Sequence, residues 1–384
     1  MEKLIINSKI IVSLNFIFLI LTLISCESPE SEPEKETNIK FDLSNAKAIL
    51  IQDNSSSNGR TINNNDGNLF KIDDQGNISS VIDSVKVTFV RAFSQGLYVE
   101  LVDERESIIR KFYVELDNSF TEIQDEIGLY KGENENGDLI FSDVSILRAN
   151  SITVEKLQTT LDFPTVQSVS GNLAIITDNS IFQIFNTVTN ARYNVNGCNG
   201  PRIQSFEGGS KAIIDDCSSQ ILIDMSNGER TESELDGWNH ESLKVNDGVV
   251  VLSQGISDIG DFSNYALGYL DQEAKLTVLT DNVFQPGSSF CMNCGEPNTV
   301  LFGTAQFLVV RELNKISVVD RNNNNSKKSI LDGLNVTKMS LQNDLIYYLA
   351  EDNFGASITG IYDLINDNNQ VLDNQTQYED VQTF

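Results

Sequence analysis

Short apolar runs separated by polar turns dominate the chain after about residue 40, and helical periodicity is scarce there. The runs are rich in Val, Ile, Phe, Tyr and Thr, and Asn, Asp, Gly and Ser bound them, as is typical of strands and hairpins. Examples are residues 48–51, 85–90, 97–102, 112–116, 173–176 and 181–185. The pattern predicts an all-β body.

The runs recur in a weak repeat. Each unit opens with an apolar strand, continues through a polar turn into a second strand that ends near an Asp, and closes with an Asn/Gly turn and a short strand. Residues 171–195 and 343–372 show the full unit, and residues 68–81 look like the second half of one. The period is about 40 residues, and the first-strand anchors are Ala48, Leu97, Leu139, Leu173, Ala212, Val249, Phe307 and Leu345.

Successive antiparallel strands with such a period are typical of β-propeller blades. The hairpins over residues 45–375 resemble the degenerate repeats of seven- or eight-bladed propellers, and this resemblance implies a propeller body. The sequence shows neither a WD dipeptide nor the double-Gly signature of kelch repeats, so no subfamily follows. The alternative is a pair of β-sandwich domains, which would show the same short strands.

The N-terminal segment has the organisation of a signal peptide. Lys3 and Lys9 precede an apolar run over residues 10–24, which is shorter than the roughly 20 residues of a membrane span. The run ends in Leu-Ile-Ser-Cys at residues 23–26, which resembles the lipobox of bacterial lipoproteins. The resemblance implies that residues 1–25 are removed and that Cys26 carries acyl chains such as palmitate as a stable membrane anchor.

An acidic stretch with two prolines follows Cys26, at residues 27–36. This stretch has no apolar side chains that a core could bury, so residues 26–44 are predicted to form a disordered tether. The acidic cluster directly behind the cysteine resembles the lipoprotein export signal of Bacteroidota. That resemblance implies an outer-membrane lipoprotein facing the cell exterior; the alternative is an outer-membrane lipoprotein facing the periplasm.

The net charge limits the classes of molecule that the protein is expected to bind. The chain has 27 Lys and Arg against 55 Asp and Glu, a net charge of −28. Nucleic acid binding needs a basic surface, so it is not expected, and the lipid at Cys26 is the predicted contact with the membrane. A protein or a glycan remains as the partner, and the sequence leaves that choice open.

Four further cysteines suggest two disulfides in an exported protein, paired Cys198–Cys217 and Cys291–Cys294. A redox site or a Cys₄ zinc site is the alternative for these thiols. Cys291 and Cys294 belong to a loop insertion at residues 282–298, marked by two prolines and two glycines. Insertions on propellers project from a face, so this one is a candidate functional element.

The candidate chemistry is sparse. Trp238 and His240 form a weak candidate for ligand binding, or else an ordinary turn with the indole packed inward. His240 is the only histidine, and no G-x-S-x-G motif supplies a nucleophilic serine, so no catalytic residue, metal or cofactor is predicted. Acidic turns at 133–138 and 63–67 could hold calcium, but they fit hairpin turns better.

Together these features predict a non-catalytic binding or scaffolding propeller, followed by a C-terminal tail at residues 376–384. The rival is a propeller glycosidase or lyase that uses carboxylates near the central channel. Composition alone cannot select two carboxylates from 55, so none is nominated.

Protease treatment of whole cells tests the predicted location. A surface lipoprotein should be degraded in intact cells, because protease reaches the body of the protein without crossing the outer membrane. Immunoblotting before and after cell lysis provides the readout and the control. Full protection in intact cells together with degradation after lysis would contradict surface exposure.

Overall fold

The structure is a computed structural model. It describes residues 39–52, 69–82, 85–103, 108–124, 126–149, 151–179, 181–195, 203–216, 219–232, 240–245, 248–254, 265–280, 282–285, 299–313 and 315–384. Residues 41–384 belong to one compact unit. Within the described ranges, no helix is long and apolar enough to cross a membrane.

The described residues form eight antiparallel sheets of four strands each, which confirms the propeller and fixes its blade number at eight. The alternative of two β-sandwich domains is therefore wrong. In blades 2 to 8 the four strands follow one another in chain order. Blade 1 has the order β3-β2-β1-β32, so it combines strands from both ends of the body.

The strands have the following bounds. Blade 1 contains β1 (Ala46–Ile51), β2 (Leu69–Asp73), β3 (Ile78–Ser80) and β32 (Asp380–Thr383). Blade 2 contains β4 (Lys86–Phe93), β5 (Gly96–Asp103), β6 (Ile108–Glu115) and β7 (Phe120–Ile123). Blade 3 contains β8 (Tyr130–Glu133), β9 (Leu139–Phe141), β10 (Ser145–Arg148) and β11 (Thr153–Lys156). Blade 4 contains β12 (Thr165–Ser170), β13 (Leu173–Asp178), β14 (Ile181–Asn186) and β15 (Arg192–Val195).

The second half of the ring is built in the same way. Blade 5 contains β16 (Ile203–Phe206), β17 (Lys211–Asp216), β18 (Ser219–Asp224) and β19 (Arg230–Glu232), with a 3-10 turn at Glu207–Gly209. Blade 6 contains β20 (His240–Val245), β21 (Gly248–Gln254), β22 (Tyr265–Leu270) and β23 (Leu276–Val278). Blade 7 contains β24 (Val300–Gly303), β25 (Phe307–Arg311), β26 (Ile316–Asp320) and β27 (Ser326–Ile330). Blade 8 contains β28 (Asn335–Gln342), β29 (Leu345–Glu351), β30 (Ser357–Asp363) and β31 (Asn368–Asp373).

The first strand of each of blades 2 to 8 is the inner strand of its blade. These strands contact one another from blade to blade: β12 lies against β8 and β16, and β20 lies against β16 and β24. In blade 1 the inner strand is β32, which contacts β28 of blade 8 and β4 of blade 2. The eight inner strands therefore surround the centre of the propeller.

Strand β32 closes the ring by pairing with β1, from Ala48 opposite Thr383 to Ile51 opposite Asp380. Val381 is buried in an apolar cluster with Ala48, Leu50, Tyr347 and Leu349. Residues 376–384 are predicted as a tail, but part of this segment is a strand of the propeller. The strand is four residues long and mostly polar, so it has no apolar run to reveal it.

The body also begins earlier than the predicted boundary between residues 44 and 45. Phe41 and Leu43, placed in the tether by sequence, are 2% and 1% exposed. The Phe41 ring lies 5.7 Å from the Phe112 ring and 5.3 Å from the Phe120 ring, measured between centroids. Two isolated apolar residues in a polar stretch have no periodicity, so their burial by blade 2 is not visible in the sequence.

All eight predicted anchors lie in the second strands of eight different blades. The predicted repeat is therefore correct in number and spacing, but blades 2 to 8 each begin one strand earlier than the predicted units, and blade 1 takes its inner strand from the C-terminal end. The inner strands escape notice because polar residues interrupt them, as in TVQSVS of β12 and IQSF of β16. Only the second and third strands, which neighbouring blades cover on both faces, read as continuous apolar runs.

The core lies between blades. Seven apolar clusters each join two adjacent blades, from the contact of blades 2 and 3 round to that of blades 8 and 1. In one of them, Leu173 and Ile175 of blade 4 pack with Ala212 and Ile214 of blade 5. Blades 3 to 8 are thus each packed against both their neighbours by apolar clusters.

The strand order gives the propeller two different faces. Connections between first and second strands, and between third and fourth strands, lie on one face, here called the short-turn face, where none exceeds about five residues by the strand bounds. Connections between second and third strands, and from blade to blade, lie on the other, here called the long-loop face. The three longest, 52–68, 255–264 and 279–299, all belong to the long-loop face.

Carboxylates at the ends of third strands fix several turns of the short-turn face. The Asp73 Oδ1 atom accepts the backbone N–H groups of Gln75 and Asn77, at 2.9 and 2.8 Å. Asp224 and Asp363 bind turn residues in the same way. Hydrogen bonds from turn side chains and backbone lower the pKa of all three carboxyls. The Asp that recurs at strand ends in the sequence is therefore a turn-forming residue.

Truncating Val381 should show how much the ring depends on β32. We expect Val381→Ala to lower the free energy of unfolding by about 2 kcal/mol, because a side chain that is 3% exposed leaves a cavity in the contact of blades 8 and 1. Val371→Ala is the matched control: this valine on outer strand β31 is 50% exposed, and its loss should cost less than about 0.5 kcal/mol. Chemical denaturation measures both, and equal losses would contradict the closing role of β32.

Candidate functional site

Most residues nominated from the sequence fall in stretches of the chain between described strands. Cys198 lies between β15 and β16, Cys217 between β17 and β18, and Trp238 between β19 and β20. Cys291 and Cys294 lie between β23 and β24. All five, and Cys26, are outside the described residues, so lipidation and both disulfides stay predictions. His240 begins β20 and pairs with Ser253 through the backbone, while its side chain is outside the description.

The two ends of the predicted insertion are held together on the long-loop face. The backbones of Phe284 and Tyr265 exchange two hydrogen bonds, at 2.8 and 3.0 Å, and the Phe284 side chain is fully buried. At the far end, the Thr299 hydroxyl donates to the carbonyl of Gln285 at 3.2 Å. Residues 286–298 are outside the described part, but the stem from which they extend is well ordered by these contacts.

A buried carboxylate secures this stem to blade 7. Glu312, directly after β25, has a side chain with no exposed surface, and its Oε2 atom accepts the backbone N–H of Gln285 at 2.5 Å. The hydroxyl of Ser317 donates to Oε1 of the same carboxylate. The ammonium of Lys327 lies 3.2 Å from that Oε1 atom and the ammonium of Lys315 lies 3.8 Å from it, so the charge is compensated.

Lys327 completes the stem from the outer strand β27. Its ammonium donates to the Val283 carbonyl at 2.7 Å and lies 3.9 Å from the centroid of the Phe284 ring. Burial lowers the pKa of Lys327, and the attraction of Glu312 opposes that shift. The ion pair of Glu312 with Lys327 therefore joins the stem, blade 7 and the ring of Phe284. The sequence reasoning missed both Glu312 and Lys327.

The long-loop face also exposes large apolar side chains. Among the described residues, the three most exposed are Phe354 at 95%, Phe163 at 80% and Leu129 at 72%. All three lie on connections of this face. Ile181, at the start of β14, is 50% exposed and faces the same side of the molecule. We call Leu129, Phe163 and Ile181, on blades 3 and 4, the apolar rim.

Hydrogen bonds fix the backbone of the apolar rim. Leu129 and Ser142 are joined twice: the Leu129 N–H donates to the Ser142 hydroxyl at 2.9 Å, and the Ser142 N–H donates to the Leu129 carbonyl at 2.7 Å. The Ser142 carbonyl in turn accepts the N–H of Val166, three residues after Phe163, at 2.9 Å. The segments that present Leu129 and Phe163 are thus tied to each other.

Asp178 holds the other side of the apolar rim. Its Oδ2 atom accepts the backbone N–H groups of Asp162 and Phe163, both at 3.1 Å. Asp178 is also the cross-strand partner of Ile181, so the Phe163 backbone and Ile181 are both next to this residue. The rim is therefore a set of apolar side chains on pre-ordered turns.

The acidic turn at 133–138, considered for calcium, is a hairpin turn between β8 and β9. The Asn134 Oδ1 atom accepts the N–H groups of Asn136 and Asp138, both at 3.0 Å. The Asp138 carboxylate accepts from Ala149, Arg148 and the Asn134 amide. Its oxygens are therefore engaged by protein donors. Across the described residues, no group of three or more His, Cys, Asp and Glu could hold a metal ion, and the 63–67 turn lies outside them.

No protein-family model and no curated protein sequence matches this chain. Solved structures share its fold at low identity. Dihydro-heme d1 dehydrogenase NirN in complex with DHE is 10% identical with a TM-score of 0.53, over 89% of this chain and 74% of that one. Porphyromonas gingivalis dipeptidyl peptidase 4 is 9% identical with a TM-score of 0.51, over 76% and 53%.

A puromycin-hydrolyzing peptidase of Mycobacterium tuberculosis is 10% identical, with a TM-score of 0.47, over 76% of this chain and 54% of that chain. The chain thus spans about half the length of the two peptidases. At these identities the likeness shows a shared propeller fold and carries no activity over to this chain.

The ion pair at the stem can be tested by Glu312→Gln. We expect the free energy of unfolding to fall by about 3 kcal/mol, because the nearly buried ammonium of Lys327 loses its counter-charge. Chemical denaturation gives this value, and hydrogen exchange at Phe284 and Gln285 reports whether the stem opens. Glu232→Gln, an exposed residue of β19, is the matched control and should change neither. An unaltered stem in Glu312→Gln would contradict the anchoring role.

Proposed function

We propose that this protein is a non-catalytic binding propeller, held at the outer membrane by a lipid on Cys26, and that its long-loop face binds a partner protein. The apolar rim is the observation that carries the proposal. Single exposed apolar residues are ordinary on protein surfaces, but three of them grouped on adjacent blades mark an interaction surface.

The rim has the properties of a protein-binding surface. Leu129, Phe163 and Ile181 offer aliphatic and aromatic area, which yields about 25 cal/mol for each Å² removed from water. Their turns are fixed by hydrogen bonds with Ser142 and Asp178 before any partner arrives. Binding therefore costs little loop entropy, which is the advantage of a pre-organised surface.

Charge around the rim indicates the chemistry of the partner. Glu126 and Asp162 are exposed beside Leu129 and Phe163, and the chain as a whole carries a net charge of −28. A partner with apolar side chains surrounded by Lys and Arg would complement this surface. Such complementarity mainly raises the association rate and selects between partners.

The location proposed for this activity is the outer face of the outer membrane. The lipobox-like residues 23–26 and the acidic segment 27–36 support it. The described residues begin at residue 39, so about a dozen residues of the sequence separate them from Cys26.

The rival function is that of a carboxylate-dependent glycosidase or lyase, which would cleave a polysaccharide by hydrolysis or by elimination. Its best described candidate is Glu133 on inner strand β8, because burial raises the pKa of this carboxyl, although the Ser94 N–H and the charge of Arg91 oppose the shift. The Glu133 Oε2 atom accepts the Ser94 N–H at 3.3 Å, which gives the residue a structural role between blades 2 and 3. Turnover of any polysaccharide by the purified protein would support the rival.

The rim can be tested with Leu129→Asp and Phe163→Asp in the full lipidated chain. We expect cross-linking on intact cells to join the wild-type protein to one partner, and each variant to weaken that association about tenfold or more, since exposed aromatic and aliphatic anchors dominate interface energies. Raising the salt concentration should weaken the wild-type complex as well, because its charges are exposed.

Ile365→Asp is the matched control, since this residue is 63% exposed on the short-turn face and should leave the complex intact. Circular dichroism and denaturation of each variant confirm folding. A complex that survives both rim substitutions, or one lost equally in Ile365→Asp, would contradict the proposal. If the same face bound a glycan and no protein, the partner would be a glycan and the proposal of a protein partner would be wrong.

A further inference from the structure

The apolar rim borders a groove that lies above blade 3 on the long-loop face. Neighbouring hairpins differ in length there: β5 and β6 of blade 2 have eight residues each, whereas β9 and β10 of blade 3 have three and four. The Tyr98 ring of β5 lies 5.4 Å from the Phe141 ring of β9, measured between centroids. Strand β9 ends at Phe141, but β5 continues for five residues beyond Tyr98, about 17 Å at roughly 3.4 Å per residue. Blade 2 therefore forms a wall beside the short blade 3.

Ile109 lies on the surface of this wall that faces blade 3. The side chains two and four residues along β6 fix its direction. The Lys111 ammonium donates to the Ile127 carbonyl of the connection to blade 3 at 2.8 Å, and Tyr113 packs in the apolar cluster of blades 2 and 3. Alternate positions of a strand share a face, so Ile109 points the same way. Its side chain is 51% exposed, and its cross-strand partner Val102 is half-buried beside it.

Ile181 faces blade 3 from the other side. In blade 4, Ile176 of β13 packs in one apolar cluster with Ile140 of blade 3. Asp178 lies two residues further along the same face of β13, and Ile181 is its cross-strand partner on β14, so Ile181 shares that face. Two half-exposed isoleucines thus oppose each other across blade 3, Ile109 from blade 2 and Ile181 from blade 4.

Leu129 provides the floor between these walls. It is joined by two hydrogen bonds to Ser142, the residue that follows β9, so it lies at the top of the short blade 3. Phe163 lies on the blade 4 side, where the Asp178 carboxylate accepts its backbone N–H. The groove therefore has apolar side chains on both walls and on its floor.

The width of the groove matches an α-helix. Sheets that pack face to face are about 10 Å apart, so the backbones of blades 2 and 4, on either side of blade 3, are about 20 Å apart. The side chains of the two walls take up about half of that distance. Roughly 10 Å remains, which is close to the diameter of about 10–12 Å of a helix with its side chains.

The walls also favour a helix over an extended segment. Both walls are faces of sheets, so they present side chains, whereas an added strand binds to a free backbone edge. A helix satisfies its own backbone hydrogen bonds, and it can therefore bury an apolar stripe in the groove without leaving backbone groups unpaired.

The charges around the groove indicate which helix it accepts. Glu126 and Asp162 are exposed on the connections that supply the floor and the blade 4 side. The ammonium groups of Lys111 and Lys156 are already engaged, by a backbone carbonyl and by Asp143. Lys and Arg beside the apolar stripe of the helix would therefore complement the groove.

We propose that the groove above blade 3 binds an amphipathic α-helix of the partner protein, with apolar side chains at intervals of three and four residues and Lys or Arg beside them. The inference rests on the proposed function, because the apolar rim supplies the floor and one wall. It adds a binding residue outside the rim, Ile109, and it specifies the form of the bound segment.

Ile109→Asp and Ile108→Asp, each in the full lipidated chain, test the wall. The two isoleucines are adjacent in β6 and are 51% and 50% exposed, but Ile108 lies on the opposite face, which points away from blade 3. Both substitutions add the same charge to the same hairpin. We expect cross-linking on intact cells to show a complex weakened about tenfold or more in Ile109→Asp and unchanged in Ile108→Asp. Circular dichroism and thermal unfolding of both variants confirm folding.

The result separates this inference from the proposed function. If Leu129→Asp and Phe163→Asp weaken the complex and Ile109→Asp does not, the groove is wrong and the partner-binding rim stands. If the rim variants leave the complex intact, the proposed function fails and the groove with it. Equal losses in Ile108→Asp and Ile109→Asp would also overturn the groove, since the added charge alone would explain them.

Photo-cross-linking tests the form of the bound segment and does not depend on the aspartate variants. The photoreactive residue p-benzoylphenylalanine replaces Ile109 in one protein and Ile181 in another, and mass spectrometry identifies the partner residues that become attached on intact cells. We expect each position to label residues three, four or seven apart, and both positions to label one segment of the partner. Labelling of alternate residues, as in a strand, or of distant segments of the partner would overturn the helix.

Discussion

The inner strands pose the constraint on which the rest of this propeller depends, because each has one free edge whose backbone groups no fifth strand can bind. Side chains of the neighbouring blade bind them instead. The Gln382 side chain accepts the Ala92 N–H at 2.9 Å, and the Gln204 amide donates to the Ser242 carbonyl at 3.2 Å. The hydroxyls of Ser170 and Ser340 accept N–H groups of Ser205 and Thr383, both at 3.1 Å. Polar side chains at the centre thus join blade to blade where apolar ones could not.

This constraint explains how much of the fold the sequence reveals. The eight anchor residues lie in second strands, which are apolar on both faces, so the repeat and the blade class could be predicted. The inner strands must carry Gln, Ser and Thr to bind their neighbours' edges, and therefore they resemble loops. Strand β32 is the extreme case: Asp380–Thr383 has a single apolar residue, and its partner β1 is more than 300 residues away in the chain. Such long-range pairing is set by ring closure, which local sequence does not encode.

The candidate site likewise has one part that the sequence predicts and other parts that it does not. The insertion at 282–298 could be located, because prolines and glycines mark it, and the strand order places it on the long-loop face. Its anchor could not be found. Glu312 follows an apolar strand as many exposed turn residues do, and only the fold buries it against Lys327. The apolar rim could not be predicted either. Phe163 of the rim and the buried Phe41 both lie outside strands among polar residues of the sequence, yet Phe163 is 80% exposed and Phe41 is 2% exposed.

The two faces differ in how many blades their cross-links connect. On the short-turn face, the Glu135 carboxylate accepts the Asn172 amide at 3.1 Å and also binds the Lys244 ammonium, while the Asn172 amide donates to the Gly208 carbonyl at 2.9 Å. These contacts connect turns of blades 3, 4 and 5 with inner strand β20 of blade 6, so a longer connection there would break bonds between blades. The contacts of the long-loop face join neighbouring blades in smaller groups: Ser142 binds Leu129 and Val166 between blades 3 and 4, and Glu312 binds Gln285 between blades 6 and 7. Because each of these groups spans two blades, the connections between them can differ in length, and the three longest connections and the apolar rim lie on this face.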